Sequence, residues 1–422
     1  MYYKNMEKFL KKRSDNSQNE KIKILGTEIR KTRLENNQTL SQFAKESLSV
    51  SYLSKLENGK VFASDYVLEE ILSKIRINRE IFDNVDLYYH LLEQTIKLYF
   101  FDDLENITRV FNKISALSFD MKLIKFIYYI VIGDRYKSID CSEKIYSIKE
   151  TLTDLELECF LTFSLIFELN YKDYIAAANY QNLIKVITFG NEYLQALNQK
   201  SFCLNAFGCK YEMAYTKNVA EYKKSCQKLG NFSQVIEISY LWAITLALTG
   251  YKKAAQDVMR PIPFSEKRKL TKYFVLQVEY LISIREFSKA FLFLKNCQKD
   301  ISPQDFTYYA LKCSELSGEQ EYIRDNLGRL LNVELELYNT ERLIFLRYLE
   351  YKYNETPSQL RDFLRNTTLD VASRTGNILM LDFYFKLLKQ ELAGITRYKD
   401  VVFLYRMVEK KTNEMHYLLA NE

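Results

Sequence analysis

The sequence predicts an all-α protein, a small helical head followed by a long array of paired helices. Three observations carry that expectation. Glycine numbers 11 and proline 4 in 422 residues, where ordinary usage would give about 30 and about 20, so helix breakers are scarce. Apolar residues make up 47% of the chain and charged residues 27%, the balance of a folded globular protein rather than a disordered one. From Leu87 onward, apolar positions recur at helical spacing with only short polar breaks.

The same inventory excludes several function classes. Neither G-x-G-x-x-G nor G-x-x-x-x-G-K-[ST] occurs, so no glycine-rich phosphate cradle is expected. The two histidines, His90 and His416, are far apart. The seven cysteines (Cys141, Cys159, Cys203, Cys209, Cys226, Cys297 and Cys313) form no C-x-x-C pair, so no metal site and no cofactor are expected. Scattered thiols in odd number suit a reducing cytoplasm. No secretory signal is visible, and no apolar run approaches the ~20 residues of a membrane span. The expectation is a cytoplasmic protein with no membrane partner. Without a convergent acid, base and nucleophile, the chain does not read as an enzyme.

Charge is distributed unevenly. The chain carries 60 basic and 54 acidic side chains, of which residues 1–80 hold 16 and 11. A basic head on a nearly neutral body points to a polyanionic partner for the head.

Residues 1–21 form an N-terminal extension and residues 22–80 the head. Along 22–34, Ile24, Leu25, Ile29 and Leu34 fall near one helical face. Glu35–Gln38 is a polar break, after which Thr39 or Ser41 can cap a short helix through Lys45. Ser47–Ser49 makes a second break. Ser49 can cap a helix over Val50–Glu57, with Val50, Leu53 and Leu56 expected inside and Ser51, Tyr52 and Lys55 outside. Asn58-Gly59 stops it, with glycine suited to the left-handed position. Ser64 opens another helix, carrying Leu68, Ile71, Leu72 and Ile75. Two short helices joined by a tight turn, the second polar on its outer face, make a helix-turn-helix whose second helix fits the major groove. Small polar side chains at its start, Ser49 and Ser51, let backbones approach. Lys55 supplies a cation for a base edge or phosphate, and Arg30, Lys31, Arg33 and Lys60 are placed for flanking phosphates.

The stretch FAKESLSVSYLSKLENGK, residues 43–60, resembles the helix-turn-helix of the Xre/Cro-repressor class. Within it, the Ser-x-Ser-x-Leu-Ser-Lys-x-Glu-x-Gly run at Ser49–Gly59 is similar to that of Rgg/MutR-type regulators. Leu25-Gly26-x-x-Ile29-Arg30-x-x-Arg33 fits the same pattern, and the likeness covers about 55 residues. The resemblance implies a five-helix Xre-type head, with Ser51, Tyr52 and Lys55 where the family reads bases and Gln42 where it touches a phosphate. Tyr52 departs from the smaller polar residue usual there.

Residues 85–422 read as helix after helix, and a search for internal repeats is informative. Leu248-Thr249-Gly250-Tyr251-Lys252-Lys253-Ala254 has the junction of a tetratricopeptide repeat. Similar copies occur at Ile284–Ala290, Ser317–Tyr322, Tyr171–Ala177 and Tyr398–Val401, with successive copies from Tyr251 to Phe287 to Tyr322 near the 34-residue period. Stacked pairs bury faces that no single pair can hide, giving a right-handed tetratricopeptide-like α-solenoid with a concave groove suited to an extended peptide. Asn198, Phe202, Asn205, Cys209 and Glu212 share one helical stripe, and Tyr273, Gln277 and Tyr280 another. Of these, Asn198, Phe202, Asn205, Glu212 and Gln277 are the candidate peptide contacts, since amide side chains satisfy backbone donors and acceptors together. Residues 380–420 carry more apolar surface than a terminal cap needs, which places a dimer contact there.

A head of this class before such repeats resembles the peptide-pheromone receptors of low-GC Gram-positive bacteria, the group of Rgg, PlcR, PrgX and AimR. The resemblance implies a cytoplasmic homodimer that binds promoter DNA and senses a short signalling peptide, as in quorum sensing. A protein-interaction scaffold, with DNA binding secondary, is the alternative.

Overall fold

In the computed structural model of the chain, the described residues are 36–44, 48–61, 85–115, 121–187, 190–263, 272–330, 340–393 and 397–420. Residues 6, 9, 10, 26, 29, 30, 33, 34, 64, 67, 70, 71 and 73 are described individually. Every regular element among them is helical, with no strand.

In the head, Gly26, Ile29, Arg30, Arg33 and Leu34 are helical and precede α1 (Leu40–Ala44) and α2 (Val50–Glu57). Ile29, Phe43, Ala44, Leu53, Leu56 and Ile71 form one buried core, with Tyr52 packed on its edge. Val50 and Leu34, expected inside, are 43% and 42% exposed. A helix turns 100° per residue, so Val50 and Leu56 lie 120° apart. The inward face instead holds Leu53, Leu56 and Glu57. Ile24, Leu25, Leu68, Leu72 and Ile75 lie outside the described residues, and so does part of the expected count of five helices.

The body is a series of helix pairs. They are α3 (Val85–Phe100) with α4 (Leu104–Ser115), α5 (Lys122–Val131) with α6 (Arg135–Ser147), and α7 (Asp154–Asn170) with α8 (Tyr174–Ile184). Next come α9 (Glu192–Gly208) with α10 (Glu212–Lys228), α11 (Phe232–Leu248) with α12 (Lys252–Met259), and α13 (Tyr273–Ser283) with α14 (Phe287–Asn296). Then follow α15 (Pro303–Ser317) with α16 (Gln320–Leu330) and α17 (Thr340–Asn354) with α18 (Pro357–Phe363). A π-helical turn, Leu364–Thr368, joins α18 to α19 (Leu369–Thr375), before α20 (Ile378–Ala393) and α21 (Tyr398–Ala420). The repeat junctions at 171–177, 248–254, 284–290 and 317–322 all fall on interhelical turns. Each turn is closed by a left-handed residue: Lys172, Gly250, Arg285 and Gly318. The following amide reaches back to a carbonyl of the last helical turn, as in Asp173 to Glu168 at 3.0 Å and Tyr251 to Leu246 at 2.7 Å. Tyr398 opens α21, and residues 394–396 before it are outside the described set.

The chain divides into two compact units, one of residues 1–167 and 179–198 and the other of 168–178 and 199–422. The first contains the head, α3–α6 and most of α7, with a core that includes Ile96, Phe100, Ile124, Phe126, Phe160 and Phe163. In the second, the last helices return to its first segments. Lys210 pairs with Asp382. His416 Nε2 lies 2.9 Å from the Cys209 carbonyl, and its ring stacks on Tyr211 with centroids 4.8 Å apart. A Cβ at Gly376 would come within 2.8 Å of Ile175 and 2.7 Å of Met415, so glycine is required for α19 to approach both. No helix among the described residues is long and apolar enough to cross a membrane.

Candidate functional site

Two places draw together the residues singled out in the sequence. The first is α2 and its surroundings. The Ser49 hydroxyl caps the helix, accepting from the Tyr52 amide at 3.1 Å. At the other end the Gly59 amide donates to Leu56 and the Lys60 amide to Lys55, at 2.9 and 2.8 Å, with Gly59 at φ +61°. These paired bonds end the helix sharply. Ser51, Lys55 and Lys60 are exposed, whereas Tyr52 is half-buried against the core. Gln42 is exposed, and its Oε1 accepts from the Thr39 amide at 2.8 Å while Thr39 Oγ1 receives the Gln42 amide at 3.3 Å. That reciprocal capping box fixes the start of α1.

Arg33 corrects the sequence expectation. Its guanidinium donates twice to the Glu57 carboxylate, at 2.6 and 2.9 Å, and once to the Gln38 carbonyl at 2.9 Å. Both partners are buried. Arg33 therefore ties the helix before the turn to the end of α2 and is not free for a phosphate. The reason is geometric: Glu57 lies one residue after Leu56 and shares its inward face, so it needs an internal cation. Gly26 serves the same junction, since a Cβ there would lie 2.4 Å from the Leu56 carbonyl oxygen. Arg30 pairs with Glu150 at 2.8 Å within the first unit. Lys31 lies outside the described residues.

The second place is the stripe on α9 and the helices that follow. Asn198, in the first unit, is 3% exposed; its Nδ2 donates to Thr162 Oγ1 at 3.0 Å, and its Oδ1 has no partner. Asn205, in the second unit, is fully buried, with its Oδ1 3.9 Å from Cys209 Sγ. Phe202 is half-buried. Gln277 accepts a 2.7 Å bond from the Tyr240 hydroxyl. Glu212 opens α10, and its side chain is outside the described set. The asparagine stripe thus lies within helix packing rather than along an open face, because α9 is covered on several sides.

Sequence reasoning missed a polar interior in the second unit. Glu279 of α13 accepts from the Tyr309 hydroxyl at 2.6 Å. Lys312 lies 3.3 Å from the Tyr308 hydroxyl, and its ammonium is 5.4 Å from that ring's centroid. Arg342 pairs with Asp305 at 2.6 Å and lies 5.1 and 5.7 Å from the Tyr308 and Tyr309 ring centroids. Lys172 joins the same field, from the left-handed turn between α7 and α8. Burial of Tyr174 raises its hydroxyl pKa to about 12, so it is neutral at ordinary pH. Carboxylates at Glu341 and Glu279 act on Lys172, on Lys312 and on Tyr308 alike. The available signal was the recurrence of charged residues one turn from tyrosines on α15 and α17, as at Tyr308 with Lys312 and Tyr348 with Lys352. Among the described residues, no group of three His, Cys, Asp or Glu is placed to hold a metal.

No protein-family profile and no characterised protein sequence matches the chain. Solved structures do. A Rap protein complexed with competence and sporulation factor is similar at 12% identity over 81% of this chain and 100% of that one, with a TM-score of 0.62. The apo form of the quorum sensor NprR from B. thuringiensis aligns at 13% identity over 78% and 99%, TM-score 0.49. Bacillus thuringiensis PlcR in complex with the peptide PapR7 and DNA aligns at 16% over 63% and 98%, TM-score 0.34. The Rap likeness establishes the tetratricopeptide-like helical-repeat fold.

Proposed function

We propose that the chain is a cytoplasmic, DNA-binding transcription regulator of the peptide-pheromone-receptor kind. The head, residues 22–80, binds promoter DNA and the helical repeats of 85–422 hold a short signalling peptide. The single observation that carries the DNA half is α2. It is capped by Ser49, stopped at Gly59 and anchored by Leu53 and Leu56, so Ser51 and Lys55 face outward from a fixed frame. Lys60 adds a phosphate contact beside it, with Gln42 at the start of α1, while Arg30 can exchange its half-exposed partner Glu150 for a phosphate. Support for the peptide half comes from the polar interior of the second unit and from the similar Rap structure, solved with competence and sporulation factor. Gln277 is a candidate backbone contact in the second unit, and the unpartnered Oδ1 of Asn198 a separate one in the first. We assign the chain no catalytic role.

A regulator that reads two half-sites acts as a homodimer. The α21 side chains Tyr398, Val402, Phe403 and Tyr405 are 52–67% exposed and supply an apolar face for it, whereas Leu381, Tyr384, Leu388 and Leu404 are buried within the second unit. The test is a fluorescence-anisotropy titration of the full chain with DNA from its own locus over a salt series. Specific binding whose logarithm falls steeply with log salt is expected. Absence of binding at low salt refutes the DNA half and favours a scaffold.

A further inference from the structure

Val50 opens α2 and has no place in the core of the head. It is 43% exposed, and it belongs neither to the buried cluster nor to the apolar side chains packed on its edge. The inward face of the helix is made without it, by Leu53, Leu56 and Glu57. Valine adds nothing to helix propensity, and the cap is already supplied by Ser49. Single exposed apolar side chains are common on protein surfaces; the neighbours of this one set it apart. At 3.6 residues per turn, Ser54 lies about 40° round from Val50, and Lys55 about 40° round from Ser51. Of these, Ser51 and Lys55 are exposed and Ser54 is half-buried. The outward face of α2 therefore carries two short hydroxyls, one ammonium and one branched apolar group, and the serines are too short to screen the valine methyls.

Resting on the DNA-binding reading, we infer that Val50 is a specificity-determining residue that selects thymine, packing its methyls on the C5-methyl group of the base in the major groove. Residues at the start of a recognition helix are the ones that meet base edges, and Val50 is the first residue of α2. Base pairs differ in the major groove by their donors and acceptors, and the thymine methyl is the apolar group among them. Serine hydroxyls and the Lys55 ammonium read donors and acceptors, so they gain nothing from that methyl. Valine has neither donor nor acceptor and gains only there. Cytosine, with hydrogen at C5 and an amino group at C4, offers Val50 no apolar partner and loses water from that amino group without a replacement bond. Charge fixes the occupant as well: Lys55 and Lys60 are exposed on and beside this helix, which suits a polyanion better than an apolar protein surface.

The full-length protein first selects its sites from random-sequence duplex DNA. Each thymine of the selected duplex is then replaced in turn by deoxyuridine, which removes the C5-methyl and keeps every hydrogen-bonding group. Affinities are read by anisotropy at one salt concentration. At one thymine of each half-site, methyl loss should weaken binding by the unaltered protein about fourfold, the worth of one buried methyl-sized group. In Val50→Ala the same replacement should matter less than about twofold, the scatter of independent sites. Val50→Ile, still apolar, should keep the sensitivity. Hydrogen exchange over α2 reports that the helix remains formed, as expected for a change at an exposed position; should Val50→Ala lose that protection, Val50→Ser, suited to a helix start, takes its place. No thymine sensitive to methyl loss, or equal sensitivity in the unaltered protein and Val50→Ala, overturns the inference while leaving DNA binding intact. Enrichment of no sequence overturns the DNA-binding reading and the inference with it.

Discussion

Replacing Arg33 by alanine should unfold the head without any direct loss of a DNA contact. The side chains of Arg33 and Glu57 are 11% and 5% exposed, and the guanidinium makes both ion-pair bonds plus the bond to Gln38. Truncation leaves the Glu57 carboxylate buried and unpaired, at a cost of about 3–5 kcal/mol. At ~1.4 kcal/mol per tenfold, that is roughly two to three and a half decades in the opening equilibrium of α2. A small domain holds only about 5–15 kcal/mol in total, so the head would sit at the edge of folding. Hydrogen exchange read by mass spectrometry over residues 50–60 measures this directly, since a locally opened head exchanges faster in proportion. The double variant Arg33→Met with Glu57→Leu removes both charges and should restore most of the protection. A phosphate-binding arginine would behave differently, with protection unchanged and only the salt dependence of DNA binding flattened. Unchanged exchange in Arg33→Ala refutes the reasoning.

Three further outcomes are expected. Lys55→Ala should weaken specific DNA binding by about 1–3 kcal/mol if it meets a base edge, with amide protection of α2 retained; anisotropy and exchange together check this. Gly26→Ala should destabilise the head, because the added Cβ meets backbone at 2.4 Å, and loss of head protection in the same exchange assay measures it. Glu237 is buried, which raises its pKa, but Lys200 at 3.1 Å and Lys272 pull it below the ordinary 4.5 overall. Its contribution is therefore present above the unfolded value and is lost as pH falls from there through the lowered folded value. In acid titrations followed by Trp242 emission, Glu237→Gln should flatten that limb, and an identical acid profile counts against the pair.

The parts of this account that were legible in the sequence are those fixed by neighbours along the chain. Ser49 and Gly59 bound α2 because a cap and a left-handed stop act within a few residues. The turns at Lys172, Gly250, Arg285 and Gly318 were marked by the same local chemistry. Arg33 was misread because its partner lies 24 residues away, and an arginine in a basic segment reads as solvent-facing until the fold supplies Glu57. Asn205 was placed on a stripe correctly by the helical period, but the period is silent on which neighbours cover that stripe. Glu279 with Tyr309, and Asp305 with Arg342, come together through tertiary packing alone, from three separate helices.

The central claim is that peptide occupancy of the repeats and DNA binding by the head are coupled. It is tested most directly by measuring the affinity of the full-length protein for DNA of its own locus, by anisotropy, with and without peptides that the protein retains through size exclusion from a pool of random heptapeptides. The account predicts specific binding that shifts at least severalfold when those peptides are present. An affinity for its own locus no greater than for unrelated DNA, or one indifferent to saturating peptide, would contradict it.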